Sequence, residues 1–454
     1  MWICCDRNNT LGLRPALEGY QNNTLRYSPP ADFPMHYASR VGTPKIMRSS
    51  ITLDEVWDYR TGEYFWDYAI GVNRYEGDPD HAPYDWPSTR PAPSGITFCD
   101  YLKTHSEACD EMIFFYRRYE REVVNGVISM EAYEEMLEKV IEYYKNLCPN
   151  LVWLEQNEPN CEVFGNLNAF EYYQFYRIMY RIANRLNAKH RYERPLKCVG
   201  PCIAFTAQQM PYYRQFLRLY KTDPCPDKRL DAYAAHEYAP DIDLLRRYYN
   251  AHQAILRELE LPELPIFFDE FGMMHPTNKP FDNLVNTSGV LEALFDAASM
   301  PNLYVFPWCS FHNPELQRSL TQFVQDGRGG YEATPHGIAT QLLHMLPLQQ
   351  VAVSGDCGRR AFAATDGQSL YVMATNYTAE TEDVVITAEG FSGNALRVTE
   401  YRCDEAHNYR FSGQPVDRPE VTGEETCAVQ DGRAAVNTQL KPYSFALWIL
   451  EPQE

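Results

Sequence analysis

The chain has 454 residues, enough for one large domain or a large domain with a small companion. At 45% hydrophobic and 22% charged it has the composition of a folded globular protein, which excludes whole-chain disorder. Its 41 Lys and Arg against 61 Asp and Glu leave a formal charge of −20, which argues against nucleic acid or an anionic membrane surface as the partner.

From the start of the chain, Met1-Trp2-Ile3-Cys4-Cys5-Asp6 lacks the basic segment and long apolar run of a signal peptide, so none is expected unless a leader has been removed. The 13 Cys are irregularly spaced, and Cys148, Cys198 and Cys309 sit in or beside apolar runs. With no C-x-x-C pair, they read as reduced thiols packed as small hydrophobes in a cytoplasmic chain; secretion would require that removed leader. No apolar stretch approaches the ~20 residues of a membrane span.

The first strands are expected around Leu17-Glu18-Gly19-Tyr20 and Pro44-Lys45-Ile46-Met47-Arg48. Residues 76–95, rich in Asp, Pro and Tyr, read as a long functional loop carrying Tyr84 and Trp86. From about residue 110 one unit repeats: a short apolar run, a polar turn, an amphipathic helix. The runs are Met112-Ile113-Phe114-Phe115, Leu151-Val152-Trp153-Leu154, Cys198-Val199-Gly200-Pro201, Ala232-Tyr233-Ala234-Ala235, Ile266-Phe267-Phe268 and Leu303-Tyr304-Val305-Phe306. Each suits a strand buried on both faces. The helices are expected at 130–148, 169–187, 212–220, 244–259 and 288–298. In the first of these, Leu137, Val140, Ile141 and Tyr144 share one side. Eight βα units predict an α/β fold, a (β/α)8 TIM barrel over residues 1–347. Beyond the helix at 337–346 the chain alternates apolar and polar residues. Asp366-Gly367 and Asp431-Gly432 mark tight turns, so residues 348–454 are expected to form an antiparallel β-sandwich.

Working residues of such a barrel lie where strands run into the following loops. Two predicted strands end in carboxylates: Trp153-Leu154-Glu155-Gln156-Asn157-Glu158-Pro159-Asn160 and Phe267-Phe268-Asp269-Glu270-Phe271-Gly272. A charge at an apolar strand end is costly unless solvated or paired. Two such groups opening into one barrel mouth suit chemistry needing one protonated and one ionised carboxyl group. Asp269, next to Glu270, is expected to point away from it by strand alternation.

Asn157-Glu158-Pro159 and Glu270 resemble the catalytic pattern of the clan A retaining glycoside hydrolases. Val398-Thr399-Glu400-Tyr401-Arg402-Cys403-Asp404-Glu405-Ala406-His407-Asn408 is similar to the C-terminal β domain of glycoside hydrolase family 39, which holds β-xylosidases and α-L-iduronidases. The resemblance spans roughly residues 110–450. It implies Glu158 as acid/base and Glu270 as nucleophile, with Asn157 on the hydroxyl beside the anomeric carbon. His236 and Tyr238 would lie near the nucleophile, Arg48 would match the clan's arginine, and Trp308 would stack under a sugar ring. Ile46-Met47-Arg48 with Trp57-Asp58-Tyr59 looks as much like arabinofuranosidases of the clan, and Asp269-Glu270-Phe271-Gly272 departs from the Thr-Glu-Trp surroundings of family 39. The expected partner is a small oligosaccharide or glycoside, a β-xyloside or α-L-arabinoside as the best match. The 33 Tyr suit sugar faces.

No cofactor is expected, and the 11 His show no H-x-H or H-x-x-x-H spacing for a metal. A homo-oligomer is compatible with the composition. Two other classes stay open: a non-catalytic carbohydrate-binding protein on the same fold, and a barrel for phosphorylated metabolites. Against the latter, the glycines of Gly327-Arg328-Gly329-Gly330 lie roughly 20 residues past the eighth strand and read as a turn.

Overall fold

The computed structural model describes residues 1–22, 30, 32–70, 96–273, 283–311, 321–325, 328–409 and 416–453. The expected loop aromatics Tyr84 and Trp86 lie outside these residues, as does Gly327. The chain opens with β1 (Trp2–Leu13), β2 (Tyr20–Asn22) and β3 (Ile46–Thr52), then a small ribbon of β4 (Trp57–Asp58) and β5 (Glu63–Tyr64). The βα repeat supplies β6 (Glu111–Arg117), β7 (Leu151–Gln156), β8 (Lys197–Cys198), β9 (Tyr233–Tyr238), β10 (Ile266–Gly272) and β11 (Leu303–Pro307). Strands β12 (Phe323–Gln325) and β13 (Tyr331–Ala333) form a second ribbon.

Helices follow the strands where the hydrophobic period places them. Met130–Leu147 buries Tyr133, Met136, Leu137, Val140, Ile141 and Tyr144, and its first turn is capped by Ser129, whose side chain accepts from the Ala132 N–H. Ala169–His190 begins with a full capping box between Asn168 and Glu171.

Strands β2-β3-β6-β7-β8 form one parallel sheet and β9-β10-β11 another. Single parallel bridges join their edges, Val199 to Ala232 on one side and Asn22 to Trp308 on the other. All seven residues of β3 and of β10 are buried, as strands covered on both faces must be. Two sequence expectations shift. Leu17, Glu18 and Gly19 form a turn, closed by the Gly19 N–H on the Ala16 carbonyl, so the first parallel strand starts at Tyr20. The strand expected at 198–201 ends at Cys198, because Gly200 weakens pairing and Pro201 has no N–H to donate.

Inside the parallel strands an apolar cluster of Ile46, Ile113, Trp153, Val199, Ala234, Phe267 and Phe306 forms a floor. Two residues further along several of the same strands the inward positions turn polar: Ile46 leads to Arg48, Trp153 to Glu155 and Asn157, Ala234 to His236 and Tyr238. The strands thus carry an apolar bottom and a charged top.

The rest of the chain is β14 (Gln349–Gly355), β15 (Ala361–Thr365), β16 (Leu370–Asn376), β17 (Glu382–Glu389), β18 (Ala395–Cys403), β19 (Gly423–Ala428), β20 (Arg433–Leu440) and β21 (Ser444–Pro452). They join β1 in one nine-stranded sheet, ordered β19-β18-β21-β16-β15-β14-β1-β17-β20. Strand β1 pairs antiparallel with β14 and parallel with β17, so the first residues of the chain belong to this sheet. The Asp431-Gly432 turn between β19 and β20 takes φ of 50° and 76°, the left-handed pair a two-residue hairpin needs.

The sheet has its own apolar cluster, including Ile3, Val372, Ile386, Leu396 and Trp448. Helix Asn283–Ala297 is buried on nearly every side because the sheet packs on it. The Thr375 hydroxyl donates to the Ser288 carbonyl at 2.9 Å, and Phe295 stacks on Phe362. No helix among the described residues is long and apolar enough to cross a membrane.

Candidate active site

The polar tops of β3, β7, β9 and β10 converge on Arg48, which is fully buried. Its Nε donates to Glu155 Oε1 at 2.9 Å, Nη1 to Glu270 Oε1 at 2.6 Å and Nη2 to Asn157 Oδ1 at 2.6 Å. The guanidinium carbon lies over Phe115, 3.8 Å from the ring centre. Burial works against this cation, but Glu155, Glu270 and Asp269 outweigh it and hold its pKa well above the usual value.

Glu270 is nearly buried and held at both oxygens, Oε1 by Arg48 and Oε2 by the Tyr238 hydroxyl at 2.7 Å. Burial alone would raise its pKa. His236, Arg48 and Tyr238 reverse that and bring it below the ordinary carboxylate value. Glu158, half-buried at the mouth, accepts a 2.8 Å hydrogen bond from His236 Nδ1. One oxygen each of Glu158 and Glu270 lies within 4.8 Å of the other and of His236. Glu158 has φ of 45°, in the left-handed region a non-glycine residue seldom adopts, and its N–H is tied to the Cys202 carbonyl at 3.0 Å. That bend is what turns the side chain after Asn157 toward the mouth.

His236 is fully buried. Desolvation opposes its charge, yet the carboxylates of Glu270 and Asp269 keep its pKa well above that of a free imidazole. Trp308 follows β11, buried, with its N–H donated to the Phe271 carbonyl at 2.9 Å. All seven residues singled out in the sequence therefore stand on or just after the parallel strands, and Arg48, expected to end its strand, lies inside β3, which runs on to Thr52. Arg48, Asn157, Glu158, His236, Tyr238 and Glu270 form one continuous network, and Trp308 is joined to it through the backbone beside Glu270.

Asp269 corrects an expectation. It does not point away; it is fully buried, 3.2 Å from His236 Nε2 and 3.9 Å from Arg48 Nε. The cause is a β-bulge. Phe267 pairs with Ala234 and Glu270 with His236, so three steps on β10 match two on β9; the same mismatch recurs against β11. Simple alternation from Phe267 already turns Asp269 inward, and the extra residue brings Glu270 inward as well.

Two further members were not expected from the sequence. Glu155 is two residues before Asn157 on the inward face of β7, a spacing that could have found it. Cys202, after β8, donates its thiol to Glu155 Oε1 at 3.1 Å, and burial keeps that thiol protonated by pushing its pKa well up; no sequence signal marks it.

Glu155, Cys202, His236 and Asp269 each offer one donor atom within 4.8 Å of the others, a spacing that could hold a metal ion. A cation already sits against this set: Arg48 bonds Glu155 and lies 3.3 Å from His236 Nε2 and 3.8 Å from Cys202 Sγ. A metal would have to displace it, so these residues are an ion-pair network around a guanidinium.

No family model matches the chain, and no curated protein matches it by sequence. Solved structures do. A monomeric β-xylosidase from Caulobacter crescentus CB15 aligns over 100% of both chains with a TM-score of 0.68 at 12% identity. The GH39 enzyme from Xanthomonas axonopodis pv. citri aligns over 100% of this chain and 97% of its own, with a TM-score of 0.69 at 13% identity. A glucosidase from Croceicoccus marinus aligns over 100% and 99%, with a TM-score of 0.68 at 14% identity. The chain shares the fold of these proteins from end to end. What they act on is a statement about them.

Proposed function

We propose that the chain is a retaining glycoside hydrolase of the clan A type, with Glu270 as nucleophile and Glu158 as acid/base. The eight parallel strands bridged at both seams are read as a (β/α)8 barrel within residues 1–347, with β1 lent to the C-terminal sheet. That sheet, wrapped around its own apolar cluster, is read as the sandwich of residues 348–454. The single observation that carries the function is the pair of carboxyl groups whose oxygens approach within 4.8 Å. This falls near the ~5–5.5 Å of retaining enzymes and well short of the ~6.5–9.5 Å that inversion requires for an intervening water.

In the first step Glu270 Oε attacks the anomeric carbon as the glycosidic C–O bond breaks, and Glu158 passes its proton to the departing oxygen. Arg48 and Tyr238 keep Glu270 ionised until then. Glu158, now a carboxylate beside His236, takes a proton from water, whose oxygen attacks the same carbon and releases Glu270. Asn157, steered by Arg48, is placed to bind the hydroxyl next to that carbon, and Trp308 to pack against the ring.

A glycoside is the substrate class, with a β-xyloside or α-L-arabinoside as the specific proposal. The reading rests on the site and on the fold shared with a β-xylosidase. Hydrolysis of a panel of aryl glycosides by wild type and Glu270→Gln tests it. Release from a pentoside, lost by at least ~10³-fold in the variant, is the expected result. Equal activity in the two proteins overturns the nucleophile assignment.

A further inference from the structure

Beneath the Arg48 network lie two carboxyl groups that the proposed mechanism does not use. Glu155 and Asp269 are both fully buried and offer donor sites within 4.8 Å of each other. Glu155 Oε1 is saturated, accepting from Arg48 Nε, Arg48 Nη2 and the Cys202 thiol. Glu155 Oε2 and both oxygens of Asp269 accept no hydrogen bond, and His236 Nε2, although 3.2 Å from Asp269 Oδ1, is not aligned to give one. An ionised carboxylate only accepts, so two ionised carboxylates here leave three buried oxygens without a donor and two like charges with oxygens within 4.8 Å.

The surroundings cannot supply what is missing. The charged and titratable groups facing the pair are Arg48 from β3, Cys202 after β8, His236 from β9 and Glu270 on β10. Around them stand the un-ionised phenols of Tyr116, Tyr213 and Tyr248. With Glu158 kept as the neutral acid of the proposed mechanism, three other carboxyl groups surround two cations. Arg48 spends Nη1 on Glu270, and His236 spends Nδ1 on Glu158.

We infer that Glu155 and Asp269 share one proton, held on Glu155 Oε2 and donated to an Asp269 carboxylate oxygen, and that this acid–carboxylate pair is a positioning element that keeps Arg48 aimed at Glu270. The proton satisfies the orphaned oxygens and removes one of the facing charges, leaving Glu155 Oε1 as a neutral acceptor that orients the guanidinium. The electrostatics run the same way: burial, followed by the nearby Asp269 charge, lifts Glu155 to about 8, although Arg48 pulls it down. Asp269 stays below the usual value despite its own burial, chiefly through Glu155 and His236.

The shared proton stands on the three unpartnered buried oxygens and does not depend on the reaction, whereas its link to Glu270 chemistry rests on the glycosidase reading. Infrared difference spectra of wild type against Glu155→Gln, taken at pH 6, test the proton without any substrate. A protonated-carboxyl C=O band is expected, disappearing as the pH is raised through about 8. The buried acid Glu120 is common to both proteins and cancels. Absence of the band overturns the inference. Should Glu155→Gln fail to fold, Asp269→Asn substitutes: removing the acceptor lets Glu155 ionise, and the band is again lost.

The positioning role is read from the pH profile of kcat/KM. Loss of the Glu158 proton gives wild type one alkaline limb, and ionisation of Glu155 through about 8 should steepen it; in Glu155→Gln, whose amide cannot ionise, that added steepness should be lost. An alkaline limb of equal slope in the two proteins refutes the positioning role. If no glycoside is hydrolysed, the glycosidase reading falls and takes the positioning role with it, while the infrared band still decides the proton.

Discussion

Replacing Arg48 by Met keeps much of the side-chain length and removes the guanidinium bonded to Glu155 and Glu270. The structure sets the size of the effect. Arg48 donates to Glu155, Glu270 and Asn157, and none of these contacts is open to solvent at the guanidinium. Breaking a buried ion pair from one side costs about 3–5 kcal/mol, mostly as uncompensated charge. An unfolding entropy near 2.1 cal/mol/K per residue scales to roughly 1 kcal/mol/K for a chain of this length, so the expected loss is about 3–5 °C in melting temperature at neutral pH.

The pH dependence carries the sharper test. In wild type, Asp269 and Glu270 have depressed pKa values. Their stabilisation is therefore present above the unfolded value near ~4 and is lost as the pH falls through the folded value. Without Arg48 the same groups shift upward and take up protons on folding. The variant then loses stability as the pH rises, by up to ~1.4 kcal/mol per pH unit for each proton. Thermal melts followed by circular dichroism at pH 5 and pH 8 should show the gap to wild type widening at pH 8. A gap that is constant, or larger at pH 5, refutes the account of Arg48 as counter-charge to these acids.

Other outcomes follow from individual contacts. Tyr238→Phe removes the 2.7 Å donor to Glu270 Oε2. Because that donor helps depress Glu270, the acidic limb of kcat/KM should move to higher pH by about one unit, the shift being held down by Arg48, which still donates to Oε1; a limb that stays or moves down counts against it. Glu158→Gln should slow hydrolysis of poor, alkoxide-like leaving groups by ~10²–10⁴ while sparing activated aryl leaving groups, and an equal loss on both would remove Glu158 as the acid. In Gly337→Ala the new Cβ would lie 2.2 Å from the Gln322 carbonyl oxygen, so strands and helix must part. About 1–3 kcal/mol of destabilisation is expected in chemical denaturation, and an unchanged midpoint would contradict the packing.

The site was legible in the sequence where function follows from local order. Strand periodicity and the break from apolar to polar side chains put Asn157, Glu158, His236, Tyr238 and Glu270 at or near strand ends, since each strand carries its own inside and outside; Arg48, expected at a strand end, lies within β3. The helices and tight turns were readable for the same reason: caps, 3.6-residue spacing and Asp-Gly pairs act within a few residues. Tertiary structure decided the rest. The bulge in β10 turned Glu270 inward beside Asp269, because register is set by the neighbouring strands and one extra residue changes which side chain faces the core.

Cys202 and the charge state of Glu155 depend on groups brought together from separate strands, and desolvation has no local signature. The place of β1 was likewise beyond local reading: Ile3 lies between Gly355 and Ile386 because the nine-stranded sheet had an unpaired position there to fill. The sequence by itself determined which residues could face one another at the strand ends. Only the tertiary geometry determined how close they came, and with that whether Glu155 and Asp269 must share a proton.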